Sequence, residues 1–377
     1  MRVIFACGGT GGHIYPALAV ARYLCRVEPE VKILFIGTER GMENQLVPEE
    51  GFQLRTIKVR GLTRRLSLEL AVVAWYLGRS LVEAFRIIKA FNPHIVIGTG
   101  GYVSAPAVLA ARLLGKRTLI HEQNVPPGIT NRLLSPVVNR VCISFNESRR
   151  YFPARVRITF TGNPRASEVL HYNREEGAAA LGLDHRKKTI LIVGGSRGAA
   201  RLNETVNDYL EKSRLPTEIQ IVYITGSRYY NEVDRRISRM ESVKRKNIKL
   251  LPYLKNMPAA LAAADLIISR SGATTLAEIT ARGLPAIFIP SPNVTGEHQT
   301  INAKLLSDHG AAILLPEDKL NTISLGNNIE FVIRDHKARQ LMAERSRRLG
   351  KRDAIEQFYR CLKQEIEEGQ ASGHASR

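Results

Sequence analysis

The sequence is poor in the residues that build disulfide frameworks, metal sites and base-stacking surfaces. Only four cysteines occur among 377 residues, at positions 7, 25, 142 and 361, with no Cys-x-x-Cys pair, which favours buried free thiols over a disulfide or zinc scaffold. No Asp-x-Asp triplet and no His/Asp/Glu cluster with ligand spacing occurs, so we expect no protein-held metal and no cofactor. Aromatic residues make up only 6% of the chain, which argues against a platform for stacking nucleic-acid bases.

Acidic residues are scarce relative to basic ones, and uninterrupted hydrophobic runs are missing. The net charge is +20, which favours nucleic acid, anionic lipid or phosphorylated substrates as partners, or a basic surface with no dedicated partner. The uncharged run Ala90–Ala111 is long enough to cross a membrane, but three glycines and two prolines interrupt it. Strand, turn and helix explain that run better. The N-terminus lacks the apolar stretch of a signal peptide, so we predict a cytoplasmic protein.

The chain does contain a repeated arrangement of apolar strand, glycine-rich turn and helix. Gly8–Gly12 follows a strand at 2–6, Gly98–Gly101 follows a strand at 94–97, and Gly194–Gly198 follows a strand at 188–193. Glycine lets the backbone approach a ligand closely, and the next helix N-terminus attracts phosphate groups. The first turn matches neither the dinucleotide nor the Walker A fingerprint, which weakens a nicotinamide oxidoreductase as an alternative.

Short apolar runs alternate with helical patterns along the whole chain, which is typical of parallel α/β sheets. We therefore predict two doubly wound, Rossmann-like parallel-sheet domains with ligands at the carboxyl ends of their strands. The predicted division is an N-terminal domain at 1–163, a C-terminal domain at 164–350, a helix at 351–368 that returns to the N-terminal domain, and a frayed tail at 369–377. The predicted strands are 2–6, 31–36, 54–59, 94–97, 117–121, 140–144 and 156–160, then 188–193, 218–224, 247–251, 265–269, 286–289 and 311–314.

Two side chains at these turns are candidates for a general base. His13 opens the first helix, whose N-terminus disfavours imidazolium and so keeps the ring able to accept a proton. Glu122 follows the strand at 117–121 and, with Asn124, would bind sugar hydroxyls or act as a base. Each also has a structural alternative, a hydrogen-bonding histidine or a solvated loop, and the sequence does not decide between the two bases.

In the second half, Glu278 falls about one turn into a helix that follows the strand at 265–269. A carboxylate there would accept both hydroxyls of a ribose, or would simply favour the helix dipole. Gln299, near the start of a later helix, would point at the same crevice.

A helix predicted over 66–90 has two distinct faces. One face, with Leu77, Ala84 and Ile88, is predicted to be buried. The other suits an interface with anionic lipid, or packing between domains. This second face carries Leu68, Val72, Trp75, Arg79, Val82 and Arg86.

Seven motifs in order resemble the MurG-type family of glycosyltransferases (family 28) of peptidoglycan synthesis, and the resemblance covers nearly the whole chain. It implies the GT-B fold, with two Rossmann-like domains and an interdomain cleft. The implied reaction is an inverting single displacement that moves N-acetylglucosamine from UDP-N-acetylglucosamine to the C4 hydroxyl of the muramyl sugar of undecaprenyl-pyrophosphoryl-MurNAc-pentapeptide (lipid I), giving lipid II and UDP. The motifs are Gly8–Pro16, Gly98–Ser104, His121–Asn124, Thr161–Pro164, Gly194–Gly198, Ser269–Glu278 and His298–Ala303.

The same resemblance implies where the substrates and the membrane bind. The implied location is peripheral, at the cytoplasmic face of the cell membrane, with the second face of the 66–90 helix on the lipid and other cell-wall and division proteins as partners. The implied donor contacts are Thr10, Gly11, Gly12, Asn124, Arg165, Ser196, Leu254, Ala273, Thr274, Thr275, Leu276, Ala277, Glu278 and Gln299. The implied contacts of the acceptor diphosphate are Gly9, Gly11, Gly12, His13, Gly100, Gly101 and Tyr102.

The chain departs from the family pattern beside the Asn-Pro pair and at Arg197, which stands where a glutamine is common. Many members have an arginine two places after the Asn-Pro pair, where this chain has Ala166, and Arg165 follows Pro164 directly. The alternatives to this transferase are a sugar-nucleotide epimerase or another glycosyltransferase on the same scaffold, a basic nucleic-acid-binding protein, and the nicotinamide oxidoreductase.

Overall fold

The computed structural model describes residues 1–59, 68–195, 198–213, 216–294 and 297–375, with the backbone alone at 68–74 and 372–375. The chain forms two compact units. The first contains Met1–Arg165 and Asp353–Arg377, and the second contains Ala166–Arg352. The chain therefore passes from the first unit to the second after Arg165, whereas the sequence placed the boundary after position 163.

Seven parallel strands, counted in the described residues, form the sheet of the first unit in the order β3-β2-β1-β4-β5-β6-β7. The chain reverses direction across the sheet between β1 and β4, so these two strands are neighbours. In such sheets ligands bind beyond the carboxyl ends of the strands at this switch point. The strands are β1 (Arg2–Cys7), β2 (Lys32–Thr38), β3 (Gln53–Ile57), β4 (Ile95–Gly100), β5 (Arg117–Glu122), β6 (Arg140–Ile143) and β7 (Ile158–Phe160).

Helices cover both faces of this sheet, because the strand side chains that point to either face are apolar. Val3 and Phe5 of β1 pack with the helix residue Leu18, while Ile4 and Ala6 pack with helix residues on the opposite face. This pattern is typical of a fully buried parallel strand. The helices of the unit are α1 (Gly11–Val27), α2 (Glu43–Glu49), α3 (Leu68–Phe91), α4 (Ser104–Leu113), α5 (Ile129–Leu134) and the last helix of the chain, α16 (Ala354–Ala375).

The last helix is held on the first unit by a buried carboxylate. Glu365 is 0% exposed and accepts hydrogen bonds from Arg117 at 2.6 Å and Arg140 at 2.7 Å. Phe358 of the same helix lies in the core beside α1. The helix continues to Ala375, past Gly369, where the sequence predicted a frayed tail.

The second unit, in its described residues, contains six parallel strands in the order β10-β9-β8-β11-β12-β13. The strands are β8 (Lys188–Val193), β9 (Ile219–Ile224), β10 (Ile248–Leu251), β11 (Leu266–Ser269), β12 (Ala286–Phe288) and β13 (Ala312–Leu314). The short helix α6 (Arg165–Glu168) joins the units. The helices that follow are α7 (Arg174–Ala180), α8 (Ala200–Lys212), α9 (Tyr230–Ser238), α10 (Ser242–Lys246), α11 (Met257–Ala263), α12 (Ala273–Arg282), α13 (His298–Asp308), α14 (Thr322–Arg334) and α15 (His336–Leu349).

This architecture confirms the predicted fold of two doubly wound parallel sheets. The predicted buried thiols are confirmed for Cys7, Cys142 and Cys361, but Cys25 is exposed because it lies on the outer side of α1. Within the described part of the chain, no helix has both the length and the apolar character needed to cross a membrane.

Candidate active site

Two glycine-rich turns of the first unit meet at the ends of the neighbouring strands β1 and β4. A Cβ added at Gly101 would lie 2.6 Å from the carbonyl oxygen of Gly8. Side chains are thus excluded where the two backbones approach each other. The N–H of Gly100 also donates a hydrogen bond to the hydroxyl oxygen of Ser104 at 3.1 Å. This bond fixes the second turn to the start of α4.

His13 is the candidate base that lies between these turns. Its Nδ1 is 3.1 Å from the carbonyl oxygen of Gly8, and its backbone oxygen accepts a hydrogen bond from the Thr99 hydroxyl at 2.8 Å. A Cβ added at Gly100 would lie 2.6 Å from His13 Cδ2. Gly100 also has a φ of +115°, so both its backbone and its missing side chain make room for the imidazole.

A buried carboxylate that the sequence pattern did not mark lies beneath the first turn. Glu43 is 0% exposed. Its Oε2 accepts the N–H of Gly9 at 3.0 Å, and its Oε1 accepts the N–H and the hydroxyl of Thr38 at 2.8 and 2.6 Å. The available signal was topological, since β2 ends beside β1 and a carboxylate soon after β2 can reach the turn after β1.

Glu122, the second candidate base, is buried and engaged by its own loop. It is 1% exposed. Oε1 accepts from the backbone and side-chain amides of Asn124 at 2.8 and 3.3 Å. Oε2 accepts from Gly128 N and Asn131 Nδ2 at 3.0 and 2.8 Å. Four donors fill the acceptor sites that a carboxylate offers, so Glu122 organises the loop that carries Asn124.

The neighbouring His121 is a structural histidine. It is 0% exposed, and burial lowers its pKa to about 4. Its Nε2 donates to the carbonyl oxygen of Gly162 at 3.1 Å, and its Nδ1 accepts from Gln123 at 3.1 Å. Gln123 also donates to the carbonyl oxygen of Thr99 at 2.7 Å, which ties the end of β5 to the end of β4.

The other predicted contacts of the first unit lie around the same strand ends. Gly11 and Gly12 open α1, whose first turn carries no acidic residue, and Thr10 is its N-cap. Tyr102 is 53% exposed. The Arg165 guanidinium lies 5.4 Å from the centre of the Tyr15 ring, so it stacks on an aromatic side chain of α1.

In the second unit, the predicted donor contacts gather at two helix starts. Ser271, just before α12, donates to the carbonyl oxygen of Gln299 at 2.8 Å, which joins the starts of α12 and α13. Gln299 Oε1 in turn accepts the N–H of Ser291 at 2.9 Å. The predicted residues Ala273, Thr274, Thr275, Leu276 and Ala277 form the beginning of α12.

The remaining donor candidates are more dispersed. Glu278 lies in the second turn of α12 and is 7% exposed, while Leu254 is half-buried in the loop after β10. Ser196 lies outside the described residues. Arg270, which no sequence motif had assigned a role, donates to the carbonyl oxygens of Ile289 and Pro290 at 2.9 and 3.1 Å.

The predicted membrane-facing surface lies on α3. Trp75 and Val82 are 59% and 50% exposed, Arg86 is exposed, and the Arg79 guanidinium lies 5.7 Å from the centre of the Trp75 ring. The side chains of Leu68 and Val72 lie outside the described part of the chain.

The opposite face of α3 is buried only along part of its length. Ala84 and Ile88 are 0% exposed, as predicted, but Leu77 is 46% exposed, so the prediction for Leu77 was wrong. Helical periodicity assigns a residue to a face, but it does not say how far along the helix neighbouring elements cover that face.

In the described residues, no three His, Cys, Asp or Glu side chains are grouped as metal ligands would be.

Two doubly wound sheets in one chain, with glycine-rich turns leading into helix N-termini, form the GT-B architecture of sugar-nucleotide enzymes. The chain belongs to glycosyltransferase family 28. The model of the family's N-terminal domain matches residues 3–143, and that of its C-terminal domain matches residues 189–358.

Relatives match over almost the full length. A protein from Acetivibrio thermocellus, named UDP-N-acetylglucosamine--N-acetylmuramyl-(pentapeptide) pyrophosphoryl-undecaprenol N-acetylglucosamine transferase, is 42% identical over 99% of this chain and 100% of its own. A relative of the same name from Bacillus licheniformis is 43% identical over 97% of this chain and 98% of its own.

Solved structures agree with the family assignment. The crystal structure of Acinetobacter baumannii MurG has a TM-score of 0.75 at 31% identity, and the match covers 96% of this chain and 99% of that one. A putative UDP-N-acetylglucosamine 2-epimerase from Listeria monocytogenes has a TM-score of 0.69 at 17% identity, covering 98% and 97% of the two chains. That second likeness shows the shared fold alone.

Proposed function

We propose that this chain transfers N-acetylglucosamine from UDP-N-acetylglucosamine to the C4 hydroxyl of the muramyl sugar of lipid I, giving lipid II and UDP with inversion at the anomeric carbon. The observation that carries this proposal is 42% identity over 99% of the chain to an enzyme named for that transfer. In the reaction a bond forms between the acceptor O4 and the anomeric carbon, the bond from that carbon to UDP breaks, and a base takes the O4 proton.

His13 is the base in this proposal. A carbonyl oxygen only accepts hydrogen bonds, so the 3.1 Å contact with Gly8 assigns a proton to Nδ1. The neutral ring then has its lone pair on Nε2, as a general base requires. Glu122 is a poorer base, because it is 1% exposed and a proton on either oxygen would displace one of the four donors that hold its loop.

The acceptor diphosphate is assigned to the start of α1, with Gly100, Gly101 and Tyr102 beside it. Gly11 and Gly12 open a helix of 17 residues with no acid in its first turn, so its dipole favours an anion there. The N–H of Gly9 donates inward to Glu43 at 3.0 Å. The phosphate contacts therefore fall on the amides after Gly9.

The donor is assigned to the second unit. The N-terminus of α12, with Thr274 and Thr275, receives the UDP phosphates, and Glu278 takes the ribose hydroxyls. Gln299, Asn124, Leu254, Ser196 and Arg165 complete the donor contacts carried over from the family. In this proposal helix dipoles and amide donors, rather than a protein-held metal ion, stabilise the charge that develops on UDP.

The exposed side of α3 is assigned to the anionic surface of the membrane. Trp75 is the single tryptophan of the chain, so its fluorescence reports on this surface directly. Vesicles containing phosphatidylglycerol should shift the emission to the blue, and salt should weaken the electrostatic part of the attraction. Neutral phosphatidylcholine vesicles are the control. An unchanged spectrum together with no co-sedimentation would overturn this assignment.

The test of the reaction is UDP release from UDP-N-acetylglucosamine, with and without a short-chain lipid I analogue, in EDTA. Release should require the acceptor and survive the chelator. A folded sample that binds the donor and never releases UDP with this acceptor refutes the assignment and favours an epimerase or a different transferase.

Two variants separate the candidate bases. His13→Ala should lower kcat by about 10²–10⁴-fold, the usual contribution of a general base, and should leave the unfolding temperature almost unchanged. Glu122→Ala should destabilise the first unit, because four donors lose their acceptor. A fully stable Glu122→Ala protein without activity, beside an active His13→Ala protein, would transfer the role to Glu122.

A further inference from the structure

One peptide group connects the buried carboxylate of Glu43 to the candidate base. The N–H of the Gly8–Gly9 peptide donates to Glu43 Oε2 at 3.0 Å. The carbonyl of the same peptide accepts from His13 Nδ1 at 3.1 Å. Because the peptide is planar and trans, a force that orients its N–H also orients its C=O in the opposite direction.

We propose that Glu43 is a positioning residue for His13, acting through the Gly8–Gly9 peptide. The inference rests on the proposed role of His13 as the base. With its N–H held by Glu43, the peptide presents its carbonyl oxygen to Nδ1, which keeps the proton on Nδ1 and the lone pair on Nε2. When Nε2 takes the O4 proton, the same carbonyl oxygen, polarised by the carboxylate behind it, stabilises the imidazolium.

The carboxylate is rigid enough for this role. Both oxygens are fixed, since Thr38 at the end of β2 donates to Oε1 through its N–H at 2.8 Å and its hydroxyl at 2.6 Å. Glycines also surround the side chain, because a Cβ at Gly8 would lie 2.7 Å from Oε1 and one at Gly37 would lie 2.6 Å from Cγ. A group held in this way by a buried strand end positions its partner better than a mobile surface charge does.

The Thr10 hydroxyl is the competing partner of the same ring nitrogen, but it is the weaker one. It lies 3.5 Å from His13 Nδ1, farther than the Gly8 oxygen, and a hydroxyl can either donate or accept. The carbonyl can only accept, so of these two partners it is the one that requires a proton on Nδ1.

Glu43→Gln breaks this link selectively. Thr38 offers two donors on one side of the carboxylate and Gly9 offers one on the other. The single oxygen of the amide therefore satisfies Thr38, and the amide nitrogen faces the N–H of Gly9. Two donors then oppose each other, and the Gly8–Gly9 peptide loses its fixed orientation. Glu49→Gln, which removes an equal charge from an exposed position of the same helix α2, is the matched control.

The first readout is the tautomer of His13. Long-range ¹H–¹⁵N correlation NMR measures it in protein labelled with ¹⁵N at its nine histidines. The signals that disappear in His13→Gln are those of His13. The wild-type protein should show a proton on Nδ1. The fraction with that proton should fall in Glu43→Gln and stay unchanged in Glu49→Gln. A wild-type ring protonated on Nε2 overturns the proposal even if no variant folds.

The second readout is the division between kcat and KM. In Glu43→Gln, kcat should fall by about 10- to 100-fold, less than the 10²–10⁴-fold contribution of the base itself. The KM for UDP-N-acetylglucosamine should stay within about twofold. A change that affects only the transition state lowers kcat, whereas a change in uniform substrate binding would raise KM. A folded Glu43→Gln protein with the wild-type tautomer and wild-type kcat refutes the link. If lipid I is not the acceptor but the tautomer still depends on Glu43, the link stands and the proposed function falls.

Discussion

Gly100→Ala should slow the reaction strongly by displacing His13. A Cβ at position 100 would lie 2.6 Å from His13 Cδ2, 2.9 Å from Nε2 and 3.1 Å from Cγ. Real Cβ atoms do not approach ring atoms so closely, so either the ring or the turn must move by several tenths of an ångström or more. The ring cannot move without lengthening its 3.1 Å contact with the Gly8 oxygen.

The size of the effect follows from these distances. Reaching an ordinary contact of about 3.6 Å between carbon atoms requires a displacement of about 1 Å. A misplacement of that size at a reacting group can cost about 10²-fold in rate. The φ of +115° at Gly100 adds backbone strain of about 1–3 kcal/mol for a residue with a side chain. We therefore expect kcat to fall by about 100-fold, together with a moderate loss of stability.

Gly115→Ala is the control that separates strain from displacement. Gly115 lies in the same unit with a φ of +67°, and a Cβ there would meet nothing within 4 Å. It should lose stability without losing kcat. The assay is steady-state UDP release with the lipid I analogue, with thermal unfolding measured in parallel. A Gly100→Ala enzyme with wild-type kcat would show that the position of His13 does not limit the reaction.

Two further predictions concern the buried charges and histidines of the first unit. Glu365→Gln should destabilise this unit by about 3 kcal/mol. This is near the lower end for a broken buried ion pair, since Arg140 keeps two other acceptors. Hydrogen exchange of each unit in denaturant measures the loss, and Glu367→Gln, on the exposed side of the same helix, should change stability little. Burial lowers the pKa of His121 from 6.5 to about 4 in the folded protein. As the pH falls, the imidazole is therefore protonated in the unfolded state before it is protonated in the folded state. The stability that the buried neutral imidazole contributes is complete above about pH 6.5 and is lost as the pH falls towards 4. Denaturant titrations from pH 7 to 4 should show a flatter dependence in His121→Gln.

The positions of the turns were predictable because they depend on local patterns. Apolar runs that end in several glycines mark β1 and β4, and in a parallel sheet the carboxyl ends of strands share one edge. The contact between Gly8 and Gly101 requires in addition that β1 and β4 are neighbours. Adjacency of β1 and β4 was not available from local pattern, since it depends on how the chain crosses the sheet.

Glu43 shows why part of the site was not predictable. In the sequence it stands 34 positions after Gly9, in a polar stretch that follows β2, where a charge usually faces solvent. Only the pairing of β2 with β1 brings it beneath the glycine turn.

The buried carboxylates next to the glycine-rich turns and the β5 loop, Glu43 and Glu122, have similar surroundings. Glu43 and Glu122 are 0% and 1% exposed, and both accept backbone N–H groups of the loops that they hold. A carboxylate in that position must stay an acceptor for its loop to keep its shape, so it cannot exchange protons with a substrate in each catalytic cycle without disturbing the site. The contact of His13 with the Gly8 oxygen uses Nδ1, and the proposed proton transfer uses Nε2, so the two roles fall on different ring nitrogens. These contacts support the proposal that the two carboxylates position the site and that the histidine transfers the proton.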